Sequence, residues 1–213
     1  MQPFIDRRGF LSLDKGSLLH TMNLPNKLTV ARLFLTGVFV ACFYIPWAHA
    51  MTAALLTFSV ASITDYLDGK IARSRNLVTN FGKLFDPLAD KVLIAAAFIM
   101  LVERTEMKAW IAIVILAREF FVTGIRLIAA NQGAILAAEN LGKHKMVWQI
   151  VTVLYFLLSA ASAETMFGFL RPVLAPSSPH QWVGFFIVGF TTMLTLVSGF
   201  SYFWKNKHLF NDA

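Results

Sequence analysis

The chain has 213 residues, 57% of them hydrophobic and only 15% charged, with a mean hydropathy of +0.62. Ordinary soluble domains carry about a quarter charged residues, so this composition excludes a usual soluble domain or a disordered chain and points to a polytopic membrane protein. The net charge of +7, from 19 Lys and Arg against 12 Asp and Glu, fits cytoplasmic membrane edges. It does not fit nucleic acid, because no basic tract with interleaved aromatics occurs.

Residues 1–22 mix Phe4, Ile5, Leu11, Leu18, Leu19 and Met22 with Arg7, Arg8 and Lys15, the pattern of an interfacial amphipathic helix. Arg7-Arg8-Gly9-Phe10-Leu11 also looks like a twin-arginine export signal. Asp14, Lys15, His20 and Pro25, however, interrupt the apolar stretch that such a signal needs. A membrane-spanning helix takes about 20 mostly apolar residues. Residues 33–64 hold no Asp, Glu, Lys or Arg, and a turn at Pro46 and His49 divides them into helices near 27–46 and 50–74. Segments 82–102 and 108–130 are apolar but carry Asp86, Asp90 and Lys91 in the first and Arg118, Glu119 and Arg126 in the second. The windows 146–163 and 182–204 complete the set. The expectation is an all-α integral membrane protein with six transmembrane helices, preceded by the interfacial helix, with residues 23–213 forming one domain.

Six spans put both termini on one side. With that side cytoplasmic, the outer loops hold only Arg104, Lys108 and Arg171 of the 19 basic residues, as the positive-inside bias requires. Trp47, Trp182 and Trp204 fall at span ends, where an aromatic belt belongs. Phe185, Phe186, Phe190 and Phe200 of the last span read as lipid- or partner-facing surface. The single Cys42 allows no intrachain disulfide. His20, His49, His144, His180 and His208 show no ligand spacing.

Carboxylates at membrane depth are costly and point to function. Asp65 and Asp68 are three residues apart near the end of the second helix; Asp86 and Asp90 are four apart near the start of the third. Each pair therefore shares a helix face, and the short stretch 74–81 makes the two helices antiparallel neighbours. Four clustered carboxylates repel one another unless a cation neutralises them, and hard oxygen ligands suit Mg²⁺ or Mn²⁺. The plainer reading is a set of membrane-edge carboxylates paired with Lys70, Arg73, Lys83 and Lys91. Gly69 and Gly82 favour a site, since a missing side chain lets a ligand approach the backbone.

The string Asp65-x2-Asp68-Gly69-x2-Ala72-Arg73-x8-Gly82-x3-Asp86-x3-Asp90 resembles the signature of the CDP-alcohol phosphotransferase family at all eight fixed positions. Members are six-helix membrane enzymes, usually dimeric, that move a substituted phosphate from a CDP-linked donor to an alcohol and release CMP. Three further segments resemble the bacterial phosphatidylglycerophosphate synthase subfamily: 23–32, Asp86-Pro87-Leu88-Ala89-Asp90-Lys91, and 117–126. A fourth, 142–149, is similar too, with Met146 where the subfamily has Thr. The resemblance covers roughly residues 23–204.

The resemblance implies CDP-diacylglycerol as donor, sn-glycerol 3-phosphate as acceptor, and a homodimer in the lipid bilayer of the bacterial inner (cytoplasmic) membrane, with the active site and both termini facing the cytoplasm. It further implies that Asp65, Asp68, Asp86 and Asp90 hold one or two Mg²⁺ or Mn²⁺ ions. Asp90 acts as general base. Gly69, Arg73 and Thr79 match positions that contact the cytidine diphosphate part, and Asn26, Thr29 and Gly82 adjoin that pocket. The acceptor's own phosphate needs cations. Arg118 and Arg126, eight residues apart, lie less than a quarter turn from each other around the helix, and guanidinium groups bind phosphate in bidentate fashion. Lys143 and Lys145 at the next helix entry are further candidates. An internal Arg118–Glu119–Arg126 ion network that only holds the bundle together is the alternative. At the level of function the rivals are another acceptor (phosphatidylglycerol, an inositol phosphate or serine) and a divalent-cation transporter.

Overall fold

In the computed structural model the described residues are 24–75, 80–131, 140–174 and 178–207, with side chains described for 30–64, 91–130, 141–174 and 182–207. Apart from short turns at 45–49, 104–108, 162–164 and 206, these residues are helical, with no strand among them. The order is α1 (Leu24–Tyr44), α2 (Ala50–Arg75), α3 (Asn80–Glu103), α4 (Ala109–Asn131), α5 (Asn140–Ala161), a 3₁₀ turn (Thr165–Leu170), α6 (Arg171–Leu174) and α7 (Ser178–Lys205). The amphipathic helix expected over 1–22 lies outside the described residues.

Helix limits follow local chemistry. Pro46 cannot donate a backbone hydrogen bond and biases the residue before it away from helix; α1 stops at Tyr44 and α2 starts at Ala50. α3 ends in a Schellman motif: the Glu106 N–H donates to the Leu101 carbonyl (3.0 Å) and the Thr105 N–H to the Val102 carbonyl (2.9 Å), with Thr105 at φ 61°. α5 begins at Asn140, six residues before the apolar window that the sequence offers, so the helix runs through Lys143, His144 and Lys145. The 3₁₀ turn and α6 were not foreseen in the sequence.

The helices assemble around an apolar centre. α1 packs on α2 and α3, α5 on α2 and α7, and α4 on α3 and α7. Phe39, Phe58, Phe98, Leu101, Ile115, Val153 and Leu157 are fully buried there. Buried hydroxyls turn back on their own helix: Thr36, Thr152, Thr192 and Thr195 each donate to the carbonyl four residues earlier, at 2.7–2.9 Å. That satisfies polar groups where no water reaches. α7 approaches α5 closely at Gly184, where a Cβ would stand 3.1 Å from the Phe156 ring.

The outer surface is apolar to a degree that water would not tolerate. Phe185 is 73% exposed, Phe186 66% and Phe200 67%, far beyond the scattered apolar contacts of a soluble surface. Phe190 instead packs edge-on against Trp148, with ring centroids 4.6 Å apart. Two stretches, Leu141–Ala161 and Trp182–Lys205, are long and apolar enough to cross a bilayer. α1 and α2 offer shorter apolar stretches among the described residues, Val30–Tyr44 and Ala50–Thr64, and α4 is interrupted by Arg118, Glu119 and Arg126. The chain is a helical membrane protein.

Candidate active site

Chain direction alternates from helix to helix, so the end of α2, the starts of α3 and α5 and the ends of α4 and α7 gather at one end of the bundle. Asp65, Asp68, Gly69 and Arg73 belong to α2, and Gly82, Asp86 and Asp90 to α3. Both elements are α-helical across these positions, so each Asp pair stands about one turn apart in register. Arg75 and Asn80 are five positions apart in the chain, so the end of α2 and the start of α3 lie within about 18 Å of each other. Asn26 and Thr29 sit in the first turns of α1. The side chains of all these residues, and Thr79, lie outside the described residues. Carboxylate oxygens are hard donors, so the residue types at these four positions would fit Mg²⁺ or Mn²⁺.

Directly after Asp90 the described site begins. A cavity of about 280 Å³ is lined by Lys91 of α3, Arg118, Glu119 and Arg126 of α4, Lys143 and Lys145 of α5, and Ser198 and Tyr202 of α7, among others. All four cations that the sequence offered for an acceptor phosphate thus meet at one hollow. Lys91 joins them, giving among the described residues five basic side chains and the carboxylate of Glu119.

Glu119 is the hub of this cluster. It is 9% exposed and Lys145 6%. Its Oε1 accepts hydrogen bonds from the Lys145 ammonium, from Gln149 Nε2 at 3.3 Å and from Arg118 Nη1 at 3.4 Å. Lys91 Nζ stands 3.9 Å from Oε2. Helices α3, α4 and α5 are therefore tied through one carboxylate. Burial of Glu119 and Lys145 is tolerated because each has a charged partner. Of the network considered from sequence, Arg118 and Glu119 are joined, whereas Arg126 turns to α7: its Nε donates to the Tyr202 hydroxyl at 3.3 Å and its guanidinium lies 5.3 Å from the Tyr202 ring centre.

α7 completes the wall. Arg118 Nη2 donates to Ser198 Oγ at 2.8 Å, and Ser198 Oγ in turn donates to the Thr195 carbonyl at 3.2 Å. Tyr202 is buried with Val122 and Ile125 in a small apolar cluster under the cavity. Ser198, Tyr202, Gln149 and Lys91 were not singled out from the sequence as pocket residues. The available signal is faint: Thr191, Thr195, Ser198 and Tyr202 recur at offsets of four, three and four, one polar stripe on an otherwise apolar helix.

Comparison with known proteins agrees with the signature. The family model for CDP-alcohol phosphatidyltransferase matches residues 22–199. A protein of Bacillus subtilis (strain 168) named CDP-diacylglycerol–glycerol-3-phosphate 3-phosphatidyltransferase is 43% identical over 197 residues, covering 86% of this chain and 95% of that protein. A Rickettsia felis protein of the same name is 37% identical over 188 residues, covering 88% and 97%. One from Salmonella typhimurium is 37% identical over 140 residues, covering 63% and 76%. On this match and these identities, the chain belongs to the CDP-alcohol phosphatidyltransferase family.

Proposed function

We propose that the protein transfers the phosphatidyl group of CDP-diacylglycerol to sn-glycerol 3-phosphate, giving phosphatidylglycerophosphate and CMP. The observation that carries this reading is the cavity, which among the described residues gathers Lys91, Arg118, Arg126, Lys143 and Lys145, a set that suits a small dianion. Its volume, about 280 Å³, lies near the lower edge of the ~300–1,000 Å³ of small-molecule sites. Arg118, Arg126, Lys143 and Lys145 would hold the acceptor phosphate through charge-assisted hydrogen bonds. A serine acceptor, which carries no phosphate, has no use for such a set, and the names of the relatives favour glycerol 3-phosphate over an inositol phosphate.

Asn26, Thr29, Gly69, Arg73, Thr79 and Gly82 would line the cytidine diphosphate part of the donor, whose acyl chains stay in the bilayer. Asp65, Asp68, Asp86 and Asp90 would hold one or two Mg²⁺ or Mn²⁺ ions, which supply positive charge for the diphosphate and the departing CMP. The Asp90 carboxylate takes the proton from the acceptor's primary hydroxyl as that oxygen bonds to the β-phosphorus. The bond from the β-phosphorus to the bridging oxygen breaks, and CMP leaves with the electron pair. The cations of the cavity fix the acceptor phosphate, which aims the hydroxyl three carbons away.

Six spans, with both termini and the site at the cytoplasmic face of the bacterial inner membrane, fit the gathering of basic side chains at one end of the bundle. Residues 1–22 as an interfacial anchor and a homodimeric assembly belong to the same reading. The test is CMP release by the purified protein in detergent with CDP-diacylglycerol, Mg²⁺ or Mn²⁺ and a panel of alcohols. Release with sn-glycerol 3-phosphate is expected. Release with serine or an inositol phosphate alone would overturn the acceptor assignment, and no release with any alcohol would return the carboxylates to a transport role.

A further inference from the structure

The Arg118 side chain leaves α4 and lies across α7 at a point where α7 has no side chain. A Cβ built on Gly199 would stand 2.7 Å from Arg118 Cγ, 3.1 Å from Nε and 3.5 Å from Cδ. Non-bonded carbons prefer about 3.5–4.0 Å, so the stem of Arg118 occupies the room that any other residue at 199 would fill. Three other described glycines on these helices differ. A Cβ on Gly124 of α4, Gly142 of α5 or Gly189 of α7 would meet nothing within 4 Å. Glycine is also a poorer helix former than alanine, so 199 is a position where alanine would favour the helix and disfavour the site.

We infer that Gly199 is a positioning residue for the acceptor site, holding open the space that sets where Arg118 presents its guanidinium. This rests on the acceptor reading above. The atom in closest conflict is Cγ, whose place is fixed by χ1 alone, so the side chain cannot clear a methyl group by moving only its tip. On a helix essentially two χ1 wells are open. A change of well swings the guanidinium off both Ser198 (2.8 Å) and Glu119 (3.4 Å). The other relief is for α7 to move away from α4, which pulls Ser198 and Tyr202 from Arg118 and Arg126 together. Both routes leave the phosphate with a displaced cation, while the donor carboxylates of α2 and α3 stay on other helices.

The experiment compares wild type, Gly199→Ala, Arg118→Ala and the double variant, measuring KM for sn-glycerol 3-phosphate and for CDP-diacylglycerol by CMP release, with thermal unfolding in detergent alongside. Gly199→Ala should raise the acceptor KM about tenfold, as loss of one charge-assisted contact does, and leave the donor KM near its wild-type value. Added to Arg118→Ala it should change nothing further, because its whole effect runs through Arg118. An unchanged acceptor KM in Gly199→Ala, an equal rise in both KM values, or a further rise in the double variant would overturn the inference. Should Gly199→Ala fail to fold while the double variant folds, the conflict with Arg118 is supported; should both fail, Gly199 serves other packing and the inference falls. Arg118→Ala with an unchanged acceptor KM would remove the acceptor reading itself, and the inference with it. Arg118→Ala with a raised acceptor KM beside a silent Gly199→Ala would remove the inference alone.

Discussion

Two glutamates, one against the start of α2 and one midway along α4, show how differently the same side chain is used. Glu164, just before the 3₁₀ turn, reaches the N-terminus of α2 and accepts from the Met51 N–H at 2.7 Å and the Thr52 N–H at 2.9 Å. Its charge meets unsatisfied amides and the positive end of the helix dipole, and the account closes there. Glu119, inside the bundle, meets Lys91, Arg118 and Lys145, with Arg126 and Lys143 lining the same cavity. Among the described residues, five basic side chains share that one carboxylate. The Glu164 end is thus a finished clamp, and the Glu119 cluster gathers cations next to the helices that carry the Asp motif.

Carboxylate-to-amide substitutions at the two ends should separate chemistry from scaffolding. Asp90→Asn removes the proposed base and should lower kcat by about 10²–10⁴-fold, with donor binding retained when measured by CDP-diacylglycerol titration. Loss of donor binding as severe as in Asp65→Asn would instead make Asp90 only a ligand. Glu164→Gln should leave kcat and both KM values near wild type.

Glu119→Leu tests the cation cluster directly. Without the carboxylate, Lys91, Arg118 and Lys145 lose the partner that they share, and breaking a buried pair this way costs about 3–5 kcal/mol. Thermal unfolding in detergent should drop accordingly, and millimolar inorganic phosphate should restore part of the loss by taking the vacated position between the cations. The same phosphate should do nothing for Glu164→Gln. If phosphate fails to protect Glu119→Leu, the cavity does not receive anions and the contrast between the two glutamates collapses. Glu164→Gln itself keeps one acceptor oxygen for the amides but loses the charge, a cost of about 1 kcal/mol, read as a small fall in unfolding temperature.

The two regions also differ in what their sequence discloses. Arg118, Arg126, Lys143 and Lys145 could be picked out because charge in or beside an apolar span needs a reason. Glu119 could be placed in an ion network with Arg118, its chain neighbour, but its bond to Lys145 joins residues 26 apart on different helices, and no local pattern encodes that. Ser198 and Gly199 were silent for another cause: a serine and a glycine in an apolar helix look like lipid-facing filler until the helix beside them is known. The Glu164 clamp, reaching 113 residues back along the chain, left no trace either. Helix limits came within a few residues where Pro46 or a charge run marks them. They missed by six at Asn140 because the basic residues that ended the apolar window lie inside the helix.

The smallest effect is expected at the turn that closes α3 at the Glu164 end. Thr105 sits at φ 61°, a left-handed conformation that its branched side chain opposes by roughly 1–2 kcal/mol, and the Schellman hydrogen bonds of Glu106 and Thr105 hold it there. Glycine removes that strain but also loosens the unfolded chain, so Thr105→Gly should gain only about 0.5–1 kcal/mol net. The gain should appear as a higher unfolding temperature in detergent, with kcat and both KM values unchanged, because no group of the cation cavity touches this loop. A stabilised Thr105→Gly that also lost turnover would mean that strain at this end is coupled to chemistry at the other. The division between a closed clamp and an open anion site would then be wrong, and α3, which runs from Asp90 to this turn, would be the element that carries the coupling.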